Sequence, residues 1–448
     1  MEELNYKEKN VWEIYSEKEI EEISKDYIPF MSRVKTEREF VREAEKILKE
    51  NGFSNIDAEG VQSDKLYRKF KEKSIIIFLK GKKGIEEGFN LVTAHLDSPR
   101  IDLKQKPLYE DGKLAFFETH YYGGIKKYQW VTIPLVLRGV IVKGDGTVVE
   151  VDTEKDNYFF SIPDLLPHLG RKQMEKKAKE AVTGENLNLL VGSKPLKDEK
   201  EEKIKKNILN VLKELYGIEE EDFISSELSL VPAGEAREVG FDKSFILSYG
   251  HDDRICSYTA LRAILDIEKP ERWAVVYLVD KEEIGSEGNT SAQSMFFEET
   301  LLKFVKDYAS LLSIYLKSSV LSADVSAAFD PNYKEVFEPK NTPYINQGLV
   351  VTKFTGSGGK YHSNDATAEY VGKVRNLFNK EKVVWQTGEL GKVDEGGGGT
   401  VALYFARKGM DVIDCGPAVL SMHAPFEVAS KGDLYASFHG YKVFLEKF

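Results

Sequence analysis

Apolar positions along this chain follow two rhythms, one suited to helices packed on a sheet and one to short buried strands. Thr36 and Glu39 form a capping-box pattern ahead of Phe40, Ala44, Ile47 and Leu48, and Gly52 follows, which predicts a helix closed at both ends. Continuous apolar runs at 75–79 and 89–94 have the length and bounds of buried strands. From 101 to 242 the character changes to strand-like pieces at 114–117, 131–142 and 148–151. Charged helical stretches follow near 171–181 and 198–216, the second with an apolar stripe of Ile204, Ile208, Leu212 and Leu215. After 243 the first rhythm resumes, with apolar runs at 245–247, 273–279, 320–323, 349–351 and 412–413 separated by helical patterns that include 258–267 and 400–407. Alternation of this kind predicts an α/β fold, a mixed or largely parallel sheet covered by helices. Residues 1–100 and 243–448 then form one domain, and 101–242 form an inserted second domain rich in β structure. No internal repeat of fixed period is present.

The chain has 448 residues, with 63 Lys and Arg against 74 Asp and Glu, a net charge of −11. Two domains are the natural expectation at that length. The acidic balance argues against a protein that neutralises nucleic-acid phosphates or coats an anionic membrane. A Lys/Glu run from 197 to 206 reads as the solvated face of a helix rather than a binding tail. The opening Met-Glu-Glu-Leu-Asn-Tyr-Lys has neither the basic start nor the apolar run of a signal peptide, and no run approaches the roughly 18 apolar residues of a membrane span, so the reading is cytoplasmic. Cys256 and Cys415 are too few for a disulfide framework and are expected as buried thiols.

Candidate chemistry collects just after the apolar runs. His95 and Asp97 follow the run at 89–94, Asp252 and Asp253 follow 245–247, and Asp280, Glu282 and Glu283 follow 273–279. Asp324 follows 320–323, and His423 comes a short loop after 412–413. In open α/β sheets the carboxyl ends of strands form the ligand crevice, so groups far apart in sequence can meet there. Packed carboxylates repel unless a cation sits among them. Nitrogen and oxygen ligands without thiolate suit zinc, manganese or cobalt, and a pair of such ions about 3.5–4 Å apart needs a bridging carboxylate. In the Glu282–Glu283 pair one carboxylate can bind metal while its neighbour takes a proton from water. Singly these motifs are commonplace: a lone Glu-Glu is more often a solvated surface pair. Five such segments at five strand ends point to one shared metal site.

The strings Thr-Ala-His95-Leu-Asp97-Ser-Pro, Asp252-Asp253-Arg254, Glu282-Glu283-Ile-Gly-Ser-Glu, Ser-Ala-Asp324-Val with Asp-Pro-Asn-Tyr333, and Ser-Met-His423 occur in the order and approximate spacing of one family. Over nearly its whole length the chain resembles the aspartyl aminopeptidase family of cocatalytic metallopeptidases, which includes the vacuolar aminopeptidase I type. The resemblance implies two divalent ions per chain, zinc first, with cobalt or manganese as alternatives. It implies Asp252 as the bridging carboxylate, His95 and Asp324 on one metal, and Glu283 and His423 on the other. It further implies Glu282 as the general base and Asp97 as the group that orients His95. Asp253 would hold the local backbone. The block 101–242 would match the family's dimerisation and substrate-access domain, with His168 lent to a neighbouring subunit and a homo-oligomer, a dodecamer, as the assembly.

Two stretches depart from the family pattern. Tyr128-Gln-Trp130-Val-Thr-Ile-Pro replaces a Trp-x-Asp-Arg-Asp-Leu string, and Val393 to Thr400, with its run of four glycines, replaces a Pro-Cys-Gly-Thr-like turn. The run lacks the Gly-Lys-Ser/Thr ending of a phosphate loop and reads as a place of close backbone approach. The loop 356–362 offers Lys360 and Tyr361 as candidates to line a specificity pocket, with Lys360 suited to an acidic side chain. The expected function is a metalloaminopeptidase that releases an acidic or neutral N-terminal residue from peptides with a free amino end by dimetal-activated water. A non-catalytic peptide-binding or scaffold member of the fold, or another dimetal amide hydrolase, stands as the alternative.

Overall fold

The computed structural model describes residues 7–448. Within them the chain divides into two compact units, one made of the chain up to Asp97 with Glu235–Met422 and Glu427–Phe448, the other of Ser98–Gly234 with the four residues His423–Phe426.

The first unit is built on a nine-stranded mixed sheet. At its centre Trp273–Val279, Phe89–His95, Ser319–Ser322 and Asp411–Gly416 lie parallel in that spatial order. Antiparallel Ser74–Leu79 and Leu349–Thr352 flank them. These strands read as apolar runs because both faces are covered. Successive side chains go to opposite faces: Ile75, Ile77, Val276, Leu278 and Ile413 pack with Tyr27, Phe30, Phe40 and Leu434. Ile76, Phe78, Val275, Tyr277 and Val412 pack with Phe296, Phe297, Ile314 and Phe405. A five-stranded sheet, which includes Phe245–Ser248 and Glu427–Ser430, completes the unit.

The capping box at Thr36 is formed as its sequence predicts, and helix Glu37–Glu50 follows. It is not the first helix. Val11–Ile14 and Glu17–Arg33 precede it, the latter opened by a second capping box of Ser16 and Glu19. Charged Glu and Lys fill the outer face of Glu17–Arg33, Ile20, Ile23, Tyr27 and Phe30 recur at helical spacing on the buried one, and their packing carries the helix through Pro29.

The second unit holds an antiparallel six-stranded sheet, with Arg100–Asp111, Leu114–Tyr122, Leu135–Val142 and Ser226–Pro232 among its strands. Helix Lys203–Tyr216 buries Ile204. The helical expectation for 171–181 is corrected to two single turns, Arg171–Met174 and Ala178–Ala181. Neither turn buries a residue, so no packing energy offsets the cost of helix nucleation. In the departing stretch at 128–134, Trp130 is fully buried while Tyr128 is exposed, so the tryptophan is a core residue there. Both cysteines are buried and free. Among the described residues no helix is long and apolar enough to cross a membrane.

Candidate metal centre

His95 ends a central strand and Asp324 and the Glu282–Glu283 pair follow two others, whereas Asp252 follows Phe245–Ser248 of the five-stranded sheet, in the first turn of a helix. His95 closes Phe89–His95 and is buried. Its Nδ1 donates to the main-chain carbonyl of Asp97 at 2.9 Å, with the Asp97 carboxylate at 3.4 Å. That leaves Nε2 facing Asp252 at 3.2 Å and Asp324 at 3.9 Å. Asp324 lies two residues past Ser319–Ser322, where the backbone crowds Gly416: a Cβ there would stand 2.0 Å from the Asp324 carbonyl oxygen, so only glycine fits.

Asp252 is held by an irregular helix start. Gly250 takes a left-handed conformation, Asp252 and Asp253 have non-helical angles inside His251–Leu265, and the peptide between them is cis. The Asp252 amide donates to the Glu427 carboxylate at 2.9 Å, while Asp253 accepts from the His95 amide at 3.3 Å. Arg254 is buried, donating to the carbonyls of Lys35 and Tyr249, and so serves this turn rather than a ligand. His251 is also a support. Its Nε2 donates to the Ile246 carbonyl, its Nδ1 accepts from the Tyr27 hydroxyl, and burial lowers its pKa to about 4, so it stays neutral.

Glu282 and Glu283 occupy the short turn Glu282–Ile284, entered through Lys281 at φ 69° and left through Gly285 at φ 92°. Their amides donate to the two oxygens of the Asp97 carboxylate at 3.1 and 3.2 Å. Asp97 thus fixes His95 mainly through its carbonyl and the Glu282–Glu283 backbone through its side chain.

Ligand atoms of His95, Asp252 and Asp324 lie within 4.8 Å of one another, and those of Asp252 and Glu283 are equally close, so Asp252 is common to both groups. Burial raises the Asp324 pKa, and the nearby Asp253 and Asp252 carboxylates raise it further. Burial also raises that of Asp253. Burial opposes the charged form of His95, but the Asp252 and Asp97 carboxylates outweigh it and raise its pKa. Carboxylates that penalise one another's charge, converging with an imidazole nitrogen, fit a divalent cation. Beside them Glu282 and Glu283 line a cleft of about 510 Å³ with His362, Thr400, Tyr404 and Arg407.

The remaining candidates lie as follows. His423 opens the four residues grouped with the second unit, its Nδ1 2.9 Å from the Gly124 carbonyl. His168 is exposed in the second unit. The Lys360 ammonium contacts Asp365 at 3.0 Å and sits over the Phe354 ring at 3.8 Å, while Tyr361 is exposed. Neither lines the cleft; their neighbour His362 does. In the glycine run, a Cβ on Gly396 or Gly397 would collide with the backbone at Leu390 or Gly356, and Gly399 lines the cleft. Glu427 and His251 support the site without standing among the residues the sequence singles out. Glu427 carries a detectable signal, a carboxylate opening a short strand of otherwise small, uncharged residues, Glu427–Ser430.

Residues 30–445 match the family model described as Aminopeptidase I zinc metalloprotease (M18). The chain belongs to the M18 aminopeptidase family. As a family member it is a zinc metalloaminopeptidase, a hydrolase acting on peptides. It is 50% identical to a probable M18 family aminopeptidase 1 of Clostridium acetobutylicum, over 98% of each chain. The crystal structure of an M18 aminopeptidase from Thermotoga maritima superposes with a TM-score of 0.96 at 46% identity, covering 99% of this chain and 100% of that one. The mApe1 dodecamer of S. cerevisiae shares the fold at a TM-score of 0.76 and 22% identity, covering 95% of this chain and 96% of that one.

Proposed function

We propose that this M18 aminopeptidase releases acidic or neutral N-terminal residues from peptides, using two divalent cations, zinc first, at the strand ends. The observation that carries the reading is the sharing of Asp252 between the His95–Asp324 group and Glu283. In it His95 and Asp324 would hold one ion and Glu283 and His423 the other, with Asp252 a ligand to both. The cations, when bound, supply Lewis acidity and lower the pKa of a water toward about 7.

The chain's own groups do the rest. Glu282 takes the proton of the attacking water and delivers it to the leaving amine nitrogen. Asp97 keeps Glu282 and His95 in register through the hydrogen bonds described above. Reading an acidic first residue with Lys360 requires its ammonium to exchange Asp365 for the substrate carboxylate.

The test is to incubate zinc-loaded protein with peptides beginning in Leu, Glu or Asp, each with a free amine, an N-acetyl group or a C-terminal amide. Free-amine and amidated peptides should lose their first residue, and acetylated ones should remain whole; comparable cleavage of acetylated peptides would overturn the reading. The ratio of Glu and Asp to Leu turnover reports first-residue preference.

The same reading extends to assembly in the cytoplasm, with the unit containing Ser98–Gly234 joining copies of the chain into a homo-oligomer of the dodecameric type. In support, Leu166, Leu169 and Met174 stand exposed around His168, at 49, 71 and 76%, apolar area that a partner subunit would cover. Static light scattering should give a mass many times that of one chain, and a monomeric mass refutes it.

A further inference from the structure

Asp280 is a buried carboxylate at the end of Trp273–Val279 for which neither the metal groups nor the proton relay has a use. Its Oδ2 accepts from the Lys281 ammonium at 2.5 Å and from the Thr290 hydroxyl at 2.7 Å, and the same ammonium donates to the Thr290 oxygen at 2.8 Å. The three groups close a ring in which the hydroxyl gives one hydrogen bond and receives another. The Asp280 amide also donates to the Thr290 carbonyl. Behind Asp280 lies Lys73, with its ammonium 3.9 Å away and 2.8 Å from Glu37. The charges alternate from Glu37 through Lys73 and Asp280 to Lys281.

Lys281 enters the Glu282–Ile284 turn in a left-handed conformation that a lysine disfavours. Its side chain does not swing freely, because its stem runs over Gly288, where a Cβ would come within 2.9 Å of the Lys281 Cδ. Its carbonyl accepts from the Ser286 amide at 2.8 Å. The turn is therefore gripped from both sides: Asp97 takes the amides of Glu282 and Glu283, and the Asp280–Thr290 pair takes the residue just before them.

We propose that Lys281, clamped by Asp280 and Thr290, is a positioning residue that sets the reach of the Glu282 carboxylate. The proposal rests on Glu282 being the base. Holding a reacting group in place governs the chemical step, and a displacement near 1 Å costs up to about 100-fold. The clamp should therefore act on kcat through Glu282, leaving substrate affinity and metal retention to other residues.

The experiment compares zinc-loaded Lys281→Met, Thr290→Val and Thr290→Ser, each alone and with Glu282→Gln, by kcat, KM and bound zinc. Lys281→Met and Thr290→Val should lower kcat by about 10- to 100-fold, with KM and zinc content unchanged. Thr290→Ser keeps the hydroxyl and should retain most of the turnover. In the Glu282→Gln background Lys281→Met should add little further loss, because its effect passes through a group already removed. Normal kcat in Lys281→Met, loss of zinc with kcat, or the same fold-loss in both backgrounds would overturn the clamp. Normal turnover in Glu282→Gln by itself would instead overturn the assignment of the base.

Discussion

Glu282→Gln is expected to lower kcat by about 10²–10⁴-fold while zinc content and the unfolding midpoint stay those of the parent protein. That loss corresponds to about 3–5 kcal/mol of barrier. The reason lies in what the substitution keeps and what it removes. Glutamine matches glutamate in size, and the turn that carries position 282 is held by its backbone, through the hydrogen bond its amide donates to Asp97 and the one its carbonyl accepts from the Gly285 amide. An amide side chain leaves those bonds untouched but cannot accept a proton from water or return one to the leaving nitrogen. Glu283→Gln should behave differently, weakening metal retention, with excess zinc restoring part of the activity. Steady-state kinetics beside elemental analysis of both variants separates the two carboxylates. Near-normal kcat in fully loaded Glu282→Gln would assign the proton transfer to another group.

Asp252→Ala is expected to abolish retention of both ions together, and with it turnover. Asp252 is the one carboxylate common to both ligand groups, whereas His95 belongs to a single group. His95→Ala should accordingly weaken one ion and spare the other. Ligand binding raises folded-state stability by about 2.7 kcal/mol at a hundred times the dissociation constant. The rise in Tm that zinc produces in the parent protein should therefore vanish in Asp252→Ala and shrink in His95→Ala. A full zinc complement in Asp252→Ala would remove Asp252 from the bridging position.

Much of this was readable from the chain because the signals were local. The Thr36–Glu39 capping box involves residues three apart, and it closes in the structure as its spacing requires. The central strands stood out as continuous apolar runs because both sheet faces are covered, a consequence of burial that is written into each strand separately. The strand-end placement of His95, Asp252, Glu283 and Asp324 was legible for the same reason. Each follows the apolar run of its own strand within a few residues, Asp252 doing so from the first turn of the helix His251–Leu265.

What sequence could not carry is every relation between residues that are distant along the chain and chemically ordinary in place. That the Asp97 carboxylate spends itself on amides 185 and 186 residues away depends on the parallel pairing of Phe89–His95 with Trp273–Val279, which brings the two strand ends side by side. Glu427 holding the Asp252 amide depends on the register of Phe245–Ser248 against Glu427–Ser430. Lys360 looked free to meet a substrate carboxylate, and only the folded loop gives it Asp365 and Phe354. The helix Glu17–Arg33 carries local signals of its own, the Ser16–Glu19 capping box and Ile20, Ile23, Tyr27 and Phe30 at helical spacing, but that it runs on through Pro29 depends on the core that Tyr27 and Phe30 enter. Local order is set by neighbours in sequence and can be read there, whereas partners across the fold are chosen by packing and register, which exist only once the chain has folded.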